Sequence, residues 1–253
     1  MTNFYATIAR YYDSEHADKT EDQLFYSEMA EEYGAPILII GSGTGRVALN
    51  LAQEGYEVHG IEIEPAMLER AQRKLDSLPD LRDQVTFHAG DALKIKLDQQ
   101  FKLAIIPYNT LMHFYQNDAQ RTLLKRLRKW VSQGGALVID LPNAGEAFAA
   151  QDNEALTLER SFLELESGHL IMQQSVSRLD RAEQLMEVTW IYDEIGDEGE
   201  LKRTVVPVLI RYFFFEEMRL LLELCGFEVA DVFGDFDRIP FEDGVPRMLI
   251  VAK

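Results

Sequence analysis

Five consecutive residues, Gly41-Ser42-Gly43-Thr44-Gly45, alternate three glycines with small polar side chains, and Arg46 follows them. Without a Cβ, a glycine lets the main chain approach a ligand closely and turn its amide N–H groups toward it, so the segment reads as a cradle for a nucleotide-type cofactor. A purely structural tight turn would use the same residues. Glu62 follows about 20 residues later, where a carboxylate ending the next strand can accept hydrogen bonds from both hydroxyls of a ribose. Together the two features point to an adenosyl or dinucleotide cofactor. The pyrophosphate-binding pattern needs a glycine at position 46, and Arg46 stands there, which argues against NAD. His113 lies in the run Pro107-Tyr108-Asn109-Thr110-Leu111-Met112-His113-Phe114 at the end of the fourth strand, where the substrate-side residues of an open α/β sheet are expected. An imidazole of ordinary pKa, about 6.5, suits removal of a proton from an amine or hydroxyl at neutral pH. A hydrogen-bonded structural histidine is the competing reading. The histidines are otherwise scattered, and no His or Cys pair has ligand spacing on one element, so no metal is expected.

These residues need elements to hold them. Residues 36–40 form a short apolar run ended by glycine, and 47–52 follow with helical character, so strand, turn and helix are read in order. Further strands are expected at 57–63, 85–88, 101–107 and 136–141, with helices from Pro65 and over about 118–130; Gly134-Gly135 reads as the turn into the last of these strands. Strands alternating with helices imply a parallel sheet covered on both faces. The pattern then changes to four strand-like runs at 156–166, 169–179, 184–195 and 200–212, joined by short polar turns, which is an antiparallel meander. A helix over 216–224 and strands at 227–233 and 247–252 resume the α/β pattern. The expected organisation is an N-terminal helical lid (1–34), a cofactor-binding α/β core (35–145), an inserted antiparallel β cap (146–212) and a C-terminal completion of the core (213–253).

With 253 residues, 47% of them hydrophobic, the chain can bury a substantial core. Its 43 acidic against 25 basic residues give a net charge of −18, which repels phosphate backbones and makes nucleic acid a poor partner. The basic cluster Arg121, Lys125, Arg126, Arg128 and Lys129 has the spacing of a solvated helix face. No apolar run approaches the roughly 20 residues of a membrane span, and the first residues are polar and aromatic, so the expected setting is the cytoplasm with no membrane partner. The single cysteine, Cys225, excludes an internal disulfide.

The pattern Gly41-x-Gly43-x-Gly45 resembles the first motif of class I S-adenosylmethionine-dependent methyltransferases. The resemblance continues through Gly60-Ile61-Glu62-Ile63-Glu64-Pro65-Ala66-Met67-Leu68, Gly90-Asp91-Ala92 and Gly134-Gly135-Ala136-Leu137-Val138-Ile139-Asp140, and the ending from Gly226-Phe227-Glu228-Val229 to Arg247-Met248-Leu249-Ile250-Val251-Ala252 is similar as well. It implies a Rossmann-like, doubly wound, mostly parallel sheet whose last strand is antiparallel, with S-adenosylmethionine as cofactor. Gly41, Gly43 and Gly45 would then cradle the methionine part, Glu62 would hold the ribose, Ile63 would lie against the adenine, and Asp91 would accept from the adenine amino group with Ala92 beside it. The family usually has an acidic residue two positions before the first glycine; Ile39 stands there and removes one polar tether. Tyr11-Tyr12-Asp13 and His16 resemble the lid of small-molecule methyltransferases, including sugar N-methyltransferases, which makes Tyr12 the ring closing over the cofactor, with packing against the first helix as its alternative. The meander resembles the insertion that roofs the active site of glycine- and sugar-N-methyltransferase-like enzymes. The implied activity is methyl transfer to a nitrogen or oxygen of a small-molecule acceptor, with His113 and Tyr12 as the catalytic residues and a homodimer allowed. An NAD(P)-dependent oxidoreductase and a non-catalytic cofactor-binding sensor or scaffold remain as alternatives.

Overall fold

A computed structural model of the chain describes residues 4–145, 148 and 153–253. Two helices come first, α1 (Phe4–Glu15) and α2 (Glu21–Tyr33). The α/β alternation then runs β1 (Ile37–Ile40), α3 (Arg46–Gln53), β2 (Val58–Glu62), α4 (Pro65–Asp76), β3 (Val85–Ala89), β4 (Phe101–Ile106), α5 (Asn117–Trp130) and β5 (Val131–Pro142). Four long strands follow, β6 (Asn153–Leu163), β7 (Leu170–Asp180), β8 (Leu185–Ile195) and β9 (Leu201–Arg211), and the chain ends with α6 (Phe215–Leu224), β10 (Val229–Phe233) and β11 (Arg247–Ala252). Among the described residues no helix is long and apolar enough to cross a membrane.

Seven strands form one sheet in the order β10-β11-β5-β4-β1-β2-β3. β1 pairs in parallel with β2 and β4, and β11 enters antiparallel between β5 and β10. This is the doubly wound, mostly parallel sheet with an antiparallel last strand. β1 reads Ile-Leu-Ile-Ile and every side chain is buried, because helices cover both faces. Alternation assigns the faces: Ile37 and Ile39 pack with Phe25, Tyr26 and Met29 of α2 and Val47 and Leu51 of α3, whereas Leu38 and Ile40 pack with Leu123, Leu124 and Leu127 of α5. The N-terminal segment thus divides by role. α2 belongs to the layer beneath the sheet, and α1 lies with the residues above it.

β5 begins at Val131, five residues earlier than the glycine pair led one to expect. Gly135 is not a turn residue but a close approach, since a Cβ there would stand 2.5 Å from the Lys102 carbonyl oxygen beside the start of β4.

The second sheet is the expected meander, β6-β7-β8-β9, antiparallel throughout. α1 is fastened to it. The Tyr11 ring stacks on Tyr192 of β8 at 5.0 Å, Arg10 donates to Glu194 at 2.9 Å, and Glu15 accepts from Gln173 and Tyr192. Cys225 is buried, and burial raises its thiol pKa, so it stays protonated.

Candidate functional site

A cavity of about 900 Å³ opens at the carboxyl ends of β1, β2 and β4, where ligands bind in sheets of this kind. Its floor is the glycine loop. The amides of Gly41 and Ser42 both donate to the Ile61 carbonyl, at 2.9 and 3.0 Å, which bends the chain sharply after β1. Gly41 and Gly43 have φ of +69° and +58°, in the region that favours glycine. A Cβ on Gly41 would collide with Thr110 at 2.6 Å, whereas one on Gly43 would meet only Met67, at 3.6 Å, and would otherwise stand in the cavity.

The structure brings Tyr12, Gly41, Gly43, Glu62, Ile63, Asp91, Ala92 and His113 together on this cavity wall. Gly45 is the exception. It caps α3 in a left-handed conformation, and a Cβ there would meet the Phe87 ring at 3.0 Å and Ala71 at 3.3 Å, so the packing of the loop against β3 and α4 explains it. Glu62 is buried, accepting from the Gly43 amide at 2.7 Å with one oxygen and from the Glu64 amide at 2.8 Å with the other. Burial raises its pKa, and these amide hydrogen bonds work in the opposite direction. Ile63 stands beside it with 54% of its surface exposed, an apolar side chain left bare at the cavity. Asp91 follows Gly90 and uses one oxygen to accept from the Leu93 amide at 2.9 Å.

Arg46, standing where the dinucleotide pattern has glycine, opens α3 and pairs with both oxygens of fully buried Asp22, at 2.8 and 2.5 Å. It therefore ties the loop to α2. Ile39 is fully buried on β1 and lines the cavity without a polar group. Ser42 does offer one: its hydroxyl is buried and has no hydrogen-bond partner among the described residues.

The roof comes from α1 and β9. Tyr12 faces the cavity, its carbonyl receives the His16 imidazole at 2.8 Å, and burial raises its phenol pKa so that it stays protonated. The next residue, Asp13, accepts from Thr44 of the loop and Lys74 of α4, each at 2.6 Å, and so pins α1 to the loop. Val208 and Leu209 of β9 close the far side.

His113 lies in a short 3₁₀ turn, Thr110–His113, with its Nε2 2.7 Å from the hydroxyl of Tyr5. Burial lowers its pKa from the ordinary 6.5 to about 4. The turn before it is unusual. Tyr108 and Asn109 have φ of 39° and 64°, and fully buried Asp140 holds them, accepting from the Tyr108 amide at 2.9 Å with its carboxylate and from the Asn109 amide at 3.0 Å with its main-chain carbonyl. The same carboxylate accepts from Tyr26 and Arg247. Strained residues held this firmly are typical of ligand sites.

Tyr108 and Phe114, from the run expected on the acceptor side, line the cavity, whereas Tyr5, Val208 and Leu209 line it but were not singled out in the sequence. For Tyr5 a signal existed: it precedes Tyr12 by seven residues and therefore shares its helix face. No residue of β9 was singled out in the sequence, although the resemblance made the meander that ends in it the roof of the site.

Residues 37–135 match the family model of the methyltransferase domain. The CcbJ methyltransferase from Streptomyces caelestis has the same fold, with a TM-score of 0.77 at 24% identity over 95% of each chain. An S-adenosylmethionine-dependent methyltransferase from Clostridium acetobutylicum ATCC 824 gives 0.79 at 15% identity over 99% of each chain. The cypemycin N-terminal methyltransferase of Streptomyces sp is 23% identical over 222 residues, which are 87% of this chain and 83% of that one. Residues 37–135 are thus a methyltransferase domain, set in the strand order and beside the cavity described above, and the enzyme is an S-adenosylmethionine-dependent methyltransferase. Its cofactor is S-adenosylmethionine, and the cavity residues fit it: a cradle that a Cβ on Gly43 would fill, a buried carboxylate at the end of β2, a bare isoleucine beside it and an unpartnered serine hydroxyl in the loop.

Proposed function

We propose that the enzyme methylates a nitrogen or oxygen of a small-molecule acceptor. One observation carries this reading: one roofed cavity is lined both by the glycine loop, Glu62, Ile63 and Asp91 and by the rings of Tyr5, Tyr12, Tyr108, His113 and Phe114. The first set would hold the cofactor, with Glu62 on the ribose, Ile63 against the adenine and Asp91 on its amino group. The second set would hold the acceptor. When bound, S-adenosylmethionine supplies a methyl group on a sulfonium, a good leaving group.

The protein then has two tasks, to align the acceptor's lone pair and to exclude water. Tyr12, Tyr5 and Phe114 do both as rigid rings. Burial holds the His113 pKa at about 4, which makes it a poor proton acceptor; an amine acceptor would therefore have to attack as the free base and lose its proton to solvent after transfer. The net charge of −18 also favours a small acceptor over a nucleic acid.

The test is a metabolite screen that detects release of S-adenosylhomocysteine by purified enzyme, repeated with Tyr12→Ala. Turnover of a small amine or hydroxyl compound, largely lost in the variant, is expected. A protein that binds S-adenosylhomocysteine but never produces it across a broad screen would be a sensor, and the proposal would fail.

A further inference from the structure

The hydroxyl of Tyr5 and Nε2 of His113 are 2.7 Å apart, their rings meet edge to face at 5.2 Å, and both side chains line the cavity. A neutral imidazole and a phenol can share this contact in two ways. If the phenol donates, Nε2 carries the lone pair and Nδ1 carries the hydrogen. If Nε2–H donates, the phenol hydrogen must find another acceptor, and the Nδ1 lone pair stays free to act as a base.

The surroundings discriminate between the two. Among the described residues the hydroxyl of Tyr5 has no hydrogen-bond partner other than His113. In either arrangement one hydrogen, that of the phenol or that of Nδ1, is left to the cavity; a phenol is a stronger donor than a neutral imidazole N–H and an imidazole nitrogen a stronger acceptor than a phenol oxygen, so the arrangement in which Tyr5 donates is the favoured one. Burial also keeps the Tyr5 phenol protonated and the His113 imidazole neutral, so neither proton count changes near pH 7.

We propose that Tyr5 is a positioning residue that donates its hydroxyl hydrogen to Nε2 and thereby fixes His113 as the Nδ1–H tautomer, a hydrogen-bond donor to the acceptor molecule. This rests on the acceptor lying against these rings in the cavity. His113 then orients a lone-pair-bearing atom of the acceptor through Nδ1–H, and it removes no proton because its lone pair is already engaged. The acceptor is correspondingly a molecule with an oxygen or nitrogen lone pair near the reacting atom, beyond the one that attacks.

The tautomer is read by long-range ¹H–¹⁵N correlation spectra of histidine-labelled protein at pH 7. The five histidines are separated by the signal that disappears in His113→Gln. We expect the Nδ1–H pattern for His113 in the wild type, and a shift toward Nε2–H in Tyr5→Phe, which keeps the ring and its packing. An Nε2–H pattern in the wild type, or an unchanged one in Tyr5→Phe, would overturn the proposal. Calorimetric titration of the same samples with S-adenosylhomocysteine keeps the two readings distinct. Failure to bind it would remove the assignment of the cavity, whereas binding with the wrong tautomer would remove only the role of Tyr5.

Discussion

The carboxylate of Glu62 holds the amides of Gly43 and Glu64, so the side chain that faces the cavity also fixes the loop and the turn around it. Such a group is legible in sequence because its neighbours are local: loop, strand end and carboxylate lie within about 20 residues of one another. The chemistry of His113 was not legible, since its pKa is set by burial under residues far away in the chain. A prediction follows from the direction of that shift. His113 has a folded pKa of about 4 against an ordinary 6.5, so as the pH falls from about 6.5 toward 4 the unfolded chain takes up a proton that the folded protein refuses. Its contribution to stability is present above the ordinary pKa and is lost across that window. Urea denaturation at successive pH values should show His113→Gln losing less stability than the wild type between pH 7 and about 4.5. Parallel losses would mean that His113 titrates normally in the folded protein.

At the scale of elements, α1 works on two faces. Tyr5 and Tyr12 meet the cavity, while Arg10 and Tyr11 are fastened to the cap sheet. The alternation of strands and helices and the meander could be read from periodicity. The fastening could not, because Arg10 and Glu194 are 184 residues apart. The start of β5 was missed for a related reason: Gly135 owes its identity to the neighbouring Lys102 carbonyl and not to its own turn propensity. The stack of Tyr11 on Tyr192 sets the expected energetics. Tyr192→Ala should cost roughly 3–5 kcal/mol in chemical denaturation, as for other buried large aromatics, and should accelerate hydrogen exchange in α1. Tyr192→Phe keeps the stack, loses the hydrogen bonds to Glu15 and Gln173, and should cost about 1 kcal/mol. Similar small losses in both variants would contradict the role given to the stack.

On the scale of the whole molecule, the cavity exists only because distant parts of the chain converge. The sheet supplies the loop and the carboxylates, α1 covers them, and β9 from the inserted cap closes the side. The central claim is that this cavity holds S-adenosylmethionine on the 41–43 loop and Glu62, and isothermal titration of the purified protein with S-adenosylhomocysteine, and separately with NADH, tests it most directly. The wild type should bind S-adenosylhomocysteine and not NADH. Glu62→Ala should weaken that binding by roughly 1.5–3 kcal/mol, about ten- to a hundredfold. Gly43→Val should abolish it in a protein that still folds, because the added side chain meets little protein and stands where the ligand would lie. Unchanged affinity in folded Gly43→Val, or binding of NADH in preference to S-adenosylhomocysteine, would contradict the account.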